Sequence, residues 1–222
     1  MYDLSKAFIK SLEASVESTV IDYAELGVDA LAKENIFVGI PFISTCVSVY
    51  KIGKSIRECH HLKQLLIFLT GVGYGRDEEE RLRYILKFNE MDPKQRNKEL
   101  EYVVVIMAQY ISNEKPEWLA KIYRAYLDRK IDWAQFTSYA EVINQFLPQD
   151  MEVLLAGEQK DVKIYEASDS LLRLTSVGMF LPVGKNVKVD LYPGSISVPA
   201  PEIHDYYLTS YGKDLRSILL SY

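Results

Sequence analysis

Cysteine and histidine are scarce in this chain, two and three among 222 residues. No Cys-x-x-Cys and no His-Glu-x-x-His occurs, so the usual spacings of zinc sites are missing. Cys59-His60-His61 is the densest group of soft ligands. Neighbours on a helix point about 100° apart, so these three cannot converge on one ion. The expectation is no metal and no cofactor. A nucleophile pair of Cys59 with His204 has no supporting motif. If one helix carries both Cys46 and Cys59, a rise of about 1.5 Å per residue parts them by roughly 20 Å, beyond disulfide reach. Two unpaired thiols fit a reducing compartment, so a cytoplasmic location is expected.

A basic excess is also lacking. Lysine and arginine number 26 against 31 acids, a net charge of −5. Such a chain has no global attraction for nucleic acid, and an anionic partner would have to meet a local patch. Long apolar runs are missing too. The longest uncharged stretch, Asn35 to Tyr50, falls short of the about 20 residues that span a bilayer, and Pro41 interrupts it. It reads as a buried core helix, with a membrane-inserting hairpin as the alternative. The N-terminus reads as an amphipathic helix rather than a signal peptide, with Leu4, Phe8, Leu12, Val16 and Val20 spaced by four.

Phosphate-binding patterns are incomplete. Gly53-Lys54-Ser55 looks like the tail of a phosphate loop, but Ser48 stands where the pattern needs glycine. Gly71, Gly73 and Gly75 precede a helix whose first turn is filled by Glu78, Glu79 and Glu80. Those carboxylates already satisfy the helix dipole, so the glycines read as an interhelical connection. With no catalytic signature, the chain is expected not to be an enzyme.

What is present is helical periodicity. A first helix is predicted from about Leu4 to Ala32. A second starts at Pro41, carries Phe42, Cys46, Val49, Ile52 and Ile56 inward, and runs on to Leu69. Asp77 followed by Glu80 predicts an N-cap, for a helix burying Leu82, Ile85 and Leu86. Val103-Val-Val-Ile106 has strand propensity, yet Leu100, Val103, Val104, Met107, Tyr110 and Ile111 keep a 3.6-residue period, so it reads as a helix buried on two sides. Further helices are predicted after Pro116 and Asp132, the latter closed by Pro148. Others follow around Met151–Ala156, Ser168–Val177 and Ser210–Leu220. Val187, Val189 and Leu191, the turn pair Pro193-Gly194, then Ile196 and Val198 predict a β-hairpin, with a short strand at Tyr206–Leu208.

One charge feature stands out. Lys51, Lys54 and Arg57 step by three, Lys63 follows, and only Glu58 opposes them. The plain reading is a solvated face opposite the core. The functional reading is a surface for acidic headgroups, phosphates or an acidic partner.

The C-terminal order resembles the winged helix-turn-helix family. Ser170-Leu-Leu-Arg-Leu-Thr-Ser-Val-Gly178-Met-Phe looks like its recognition helix and glycine turn, Asn186 to Val198 like its wing, and Tyr206-Tyr-Leu-Thr-Ser-Tyr-Gly212 like its closing strand and helix. Family members that bind DNA present basic and amide side chains there. Here the helix offers Arg173 against Glu166 and Asp169, and the wing only Lys185 and Lys188. Arg173, Lys185 and Lys188 are therefore the weak nucleic-acid candidates. The front half, Ile40-Pro41 through Tyr50-Lys-Ile-Gly-Lys-Ser-Ile-Arg57, is similar to uncharacterised bacterial proteins of the abortive-infection alpha type. That resemblance implies a place in phage–host conflict and supplies no catalytic residues.

The expected fold is mainly α, α+β overall: a helical bundle over 1–147 and a winged-helix-like region with a β-hairpin over 148–222, unless one core is continuous. The expected function is a non-enzymatic interaction or regulatory protein with a protein partner or self-association. The alternatives are a winged-helix DNA-binding regulator and a membrane-active effector using residues 36–69.

Overall fold

The computed structural model of the protein describes residues 3–13, 40–51, 55–73, 77–156, 168–185 and 203–222. Among these, ten helices and one two-stranded antiparallel sheet occur, so the chain is mainly helical with a small β element near its C-terminus. They fall into two compact units, residues 1–144 with Tyr222 and residues Gln145–Ser221. Among the described residues no helix is long and apolar enough to cross a membrane.

The first unit holds α1 (Leu4–Glu13), α2 (Pro41–Tyr50), α3 (Ile56–Val72), α4 (Glu78–Asn89), α5 (Pro93–Met107), α6 (Glu114–Leu127) and α7 (Trp133–Gln145, its last residue assigned to the second unit). Its centre is aromatic. The ring of Phe8 on α1 lies 5.1 Å from Phe42 on α2 and 5.2 Å from Phe88 on α4, and Phe68 on α3 lies 5.5 Å from Tyr123 on α6. All five are fully buried. Edge and tilted contacts of this kind add specificity to apolar burial.

Local chemistry sets the helix ends. Pro41 takes the first position of α2, where its missing N–H costs nothing. The next N–H, that of Phe42, donates to Ser11 Oγ of α1 at 2.8 Å, so a neighbouring helix satisfies an end that its own residues leave open. Asp77 caps α4 by accepting from Glu80 N at 2.9 Å. Asp92 caps α5 by accepting from Lys94 N and Gln95 N. Asp132 and Gln135 cap α7 reciprocally. Gly71, expected in a loop, lies inside α3. A Cβ there would fall 2.6 Å from Cβ of Ala120, so the glycine is what lets α3 and α6 cross so closely.

The second unit holds α8 (Pro148–Ala156), α9 (Asp169–Ser176), β1 (Phe180–Lys185), β2 (Ile203–Leu208) and α10 (Ser210–Ser221). Pro148, expected to close a helix, opens α8 instead, because proline is tolerated at a helix start. Strand β1 was not expected, since Phe180-Leu-Pro carries a proline and no alternation. It pairs with β2 in the register Phe180↔Leu208 to Lys185↔Ile203. The hairpin expected between Asn186 and Val198 lies outside the described residues, as does the part of the first helix beyond Glu13.

Several inward assignments change. Leu82 and Leu86 are exposed; Ile85 is buried as expected, and Tyr84 and Phe88 are buried with it. Val105 and, beyond the end of α5, Ile111 are exposed, while Ile106 is buried, so this stretch is covered less evenly than expected. The apolar residues Leu82, Tyr84, Ile85, Leu86 and Phe88 of α4 fall on more than one side of the helix, so the period alone did not choose the face.

Candidate functional site

The basic segment does not form one face. Helix α2 stops at Tyr50, and Lys51 turns left-handed at φ 51°, ψ 42°, its N–H bonding the Val47 carbonyl. Helix α3 then starts afresh. Ser55 and Glu58 cap it reciprocally, which engages the one acid of the segment. Stepping by three implied one uninterrupted helix, and the new cap resets the phase. Lys51 and Arg57 are exposed on the ends of different helices, Lys54 lies outside the described residues, and Lys63 is buried. Ile56, expected inward, is 79 % exposed, and Val49 is half-buried, whereas Phe42 and Cys46 are buried as expected.

The soft ligands also separate. Cys46 and Cys59 sit on different helices, each buried as a free thiol. Burial pushes the Cys46 thiol up to about 12, so it stays protonated and unreactive. On α3, His60 Nε2 meets Gln64 Nε2 at 2.9 Å, and His61 Nε2 meets the Val104 carbonyl at 3.2 Å. Desolvation lowers the pKa of His61, so the neutral ring donates to that carbonyl. Among the described residues no group of three or more His, Cys, Asp and Glu side chains is arranged to hold a metal ion.

Sequence reasoning missed the charge clusters that the structure does assemble. Arg124 of α6 is 5 % exposed. It pairs with Glu80 of α4, donates to Tyr84 Oη at 3.0 Å and stacks on the Tyr84 ring. One turn further along α4, Lys87 pairs with Asp128, which also accepts from the Tyr222 hydroxyl at 2.5 Å. Burial raises the pKa of Asp128, and the Lys87 and Tyr222 hydrogen bonds overcome it, so the carboxyl lies below its ordinary range. Glu80 is thus drawn away from the capping box that its spacing suggested. These pairs tie α4 to α6.

In the second unit the pattern is sharper. Asp150 sits in the first turn of α8, fully buried, and its Oδ2 accepts from Leu147 N at 2.9 Å. Arg173 of α9 grips the same carboxylate: Nε donates at 3.1 and 2.9 Å, and Nη2 at 2.7 Å. The geometry is the fork-on-carboxylate arrangement that guanidinium favours. The guanidinium considered for nucleic acid is therefore held by a carboxylate inside its own unit. Proline followed two residues later by an acid is the signal that marks Asp150, since an acid there reaches back to the helix start. Lys185 stands at the end of β1 opposite Ile203, and Lys188 lies outside the described residues.

Helix α9 and strand β1 each leave one leucine outward, beside exposed Asp169 and Ser176 on α9. Leu172 is 53 % exposed and Leu181 58 % exposed, and the two elements pack on each other. Tyr207, the register partner of Leu181, shares its face of the sheet.

The same unit explains the spacing Leu208-Thr-x-x-Gly212. Thr209 N donates to the Met179 carbonyl at 3.0 Å, Thr209 Oγ1 donates to the Gly178 carbonyl at 2.7 Å, and Gly212 N donates to Thr209 Oγ1 at 3.0 Å. One threonine thus caps α10 and fastens it to the turn after α9. Gly178, at φ +78°, supplies the left-handed residue of that turn. No protein-family model, no curated protein and no solved structure matches the chain.

Proposed function

We propose that this is a non-enzymatic interaction protein of the cytoplasm whose C-terminal unit binds another protein through the face around α9 and β1. The observation that carries the reading is the pairing of Arg173 with Asp150, which leaves Leu172 and Leu181 as prominent outward side chains there. Duplex DNA is held mainly by cations on phosphates, with amide and guanidinium groups on bases. A leucine-bearing face with its arginine engaged suits protein better. The likeness of residues 40–57 to the abortive-infection alpha type suggests phage–host conflict as the setting.

A photo-crosslinking residue at position 172 or 181, compared with one at exposed Arg57, tests this in cells before and after phage challenge. A discrete adduct from 172 and 181 but not from 57 is expected. Tight, steeply salt-dependent duplex binding that is lost with Lys185→Ala and Lys188→Ala would establish the DNA-regulator reading instead.

A further inference from the structure

Glu99 of α5 is 2 % exposed, and among the described residues no cation forms an ion pair with it. Its Oε1 accepts from two neutral donors, Gln95 Nε2 at 2.8 Å and the Tyr126 hydroxyl at 2.9 Å. Its Oε2 is buried with no hydrogen-bond partner among the described residues. The Tyr123 hydroxyl is likewise buried with none among them. It lies near enough for an ionised Glu99 to raise its pKa, second only to the effect of its own burial.

Charged groups on α5 and on elements packed around it bond other groups or face solvent, with one nitrogen of Arg96 as the exception. On α1, Lys6 pairs with Asp3, and Lys10 is exposed. His61 of α3 bonds the Val104 carbonyl. On α7, Glu141 accepts from Tyr102 at 3.0 Å. Arg96 of α5, one turn before Glu99, donates through Nη1 to the Phe88 carbonyl and to Asn89 Oδ1, while its Nε is buried with no hydrogen-bond partner among the described residues and pairs with no carboxylate there.

An ionised carboxylate in this setting is a buried charge without a counterion, the costliest kind of buried group. Protonation removes that cost and converts Oε2 from an orphan acceptor into a donor. We infer that Glu99 is carried as a neutral carboxylic acid in the folded protein, its proton on Oε2, so that the seam between α5 and α6 is a proton-linked device that alkaline conditions loosen. Desolvation raises the pKa of Glu99 against the two hydrogen bonds that lower it, the same direction. Because Tyr123 also touches Phe68 and Phe136, a charge at Glu99 would fall beside the aromatic centre of the unit.

The sign follows from linkage. In the unfolded chain Glu99 ionises near its ordinary pKa, about 4.3. Above that pH folding must take up one proton, so stability is full below it and is lost as pH rises toward the folded pKa. Two readouts test the proposal on the full-length chain. Side-chain carbon NMR with sequential assignment needs no substitution; the Glu99 carboxyl is expected to show the protonated shift at neutral pH. In chemical denaturation, the folding constant of the parent relative to Glu99→Gln is expected to fall about tenfold per pH unit above pH about 4.3, until the folded pKa is reached. An ionised Glu99 signal at neutral pH overturns the proposal, as does a stability difference that is flat with pH. So does a stability that depends on which monovalent cation is present, since a bound ion would then be what satisfies Oε2.

Discussion

Asp150 and Arg173 join the first turn of α8 to the middle of α9 through a two-pronged contact on a fully buried carboxylate. Asp150 also closes the start of its own helix, so one side chain has two structural duties. Burial raises its pKa, and the Arg173 and Leu147 hydrogen bonds more than reverse this, leaving the carboxyl below its ordinary range. Stability from such a group is present above the unfolded pKa, about 3.9, and is lost as pH falls through the folded value. Asp150→Asn should lower stability by about 1.5–3 kcal/mol at neutral pH, the range for a hydrogen bond to a charged group. The deficit should shrink below pH about 4, where the parent also loses the charge. A constant deficit down to the acid-unfolding limit would show that the ion pair contributes nothing.

Gly71 and Ala120 mark the closest crossing of α3 and α6. A methyl at residue 71 would sit 2.6 Å from the alanine methyl, a distance that real side chains do not tolerate. Gly71→Ala is therefore expected to cost about 1–3 kcal/mol by overpacking, although alanine is the better helix former. Ala120→Gly should recover part of the loss in the double variant. A double-mutant cycle with no coupling would mean that the helices simply move apart.

Helix positions were legible where a local code exists. Asp77, Asp132 and Ser168 each cap the helix that follows them, and Pro41 starts one. Asp92 and Pro93 also start a helix, a start that was not read from the sequence. The Val103–Ile106 run is helical despite its propensity, since packing decides such segments. Faces were less legible. Leu82 and Leu86 share a stripe by spacing, yet α4 turns Tyr84 and Phe88 inward, where Phe88 meets the Phe8 ring of α1 and Tyr84 takes Arg124 of α6. The candidate site failed for a related reason. Lys51, Lys54 and Arg57 look aligned only if no helix end intervenes, and Ser55 supplies one. Pairs such as Glu80 with Arg124 and Asp150 with Arg173 are distant in sequence, and no periodicity announces them.

The dissolved basic face has its own consequence. Arg57→Glu should change stability by no more than about 0.5 kcal/mol, as surface substitutions usually do. Lys63→Glu should be far more damaging, since it places a carboxylate where a largely covered lysine side chain now lies. Lys51→Gly should raise stability by up to about 1 kcal/mol, because a left-handed residue with a Cβ carries a strain that glycine lacks. Thermal melting of the three variants ranks them. Equal losses at residues 57 and 63 would restore the single-face arrangement.

Thr209 and Gly212 make the most demanding joint in the second unit. The threonine hydroxyl caps α10 and bonds the turn carbonyl of Gly178, while a Cβ on Gly212 would fall 2.4 Å from the Met179 carbonyl oxygen. That oxygen already accepts from Thr209 N and cannot retreat without breaking the bond. Gly212→Ala should therefore unfold or expand this unit rather than merely weaken it. Thr209→Ala should cost about 1 kcal/mol, the usual value of a lost cap. Thr209→Ser, which keeps the hydroxyl, should recover most of that. Amide hydrogen exchange separates the effects: Gly212→Ala should lower protection across β1, β2 and α10 together, and Thr209→Ala chiefly in the first turn of α10. Undiminished protection in Gly212→Ala would mean that the turn after α9 has another way to seat itself, and that the Thr-x-x-Gly spacing is not what holds α10 against it.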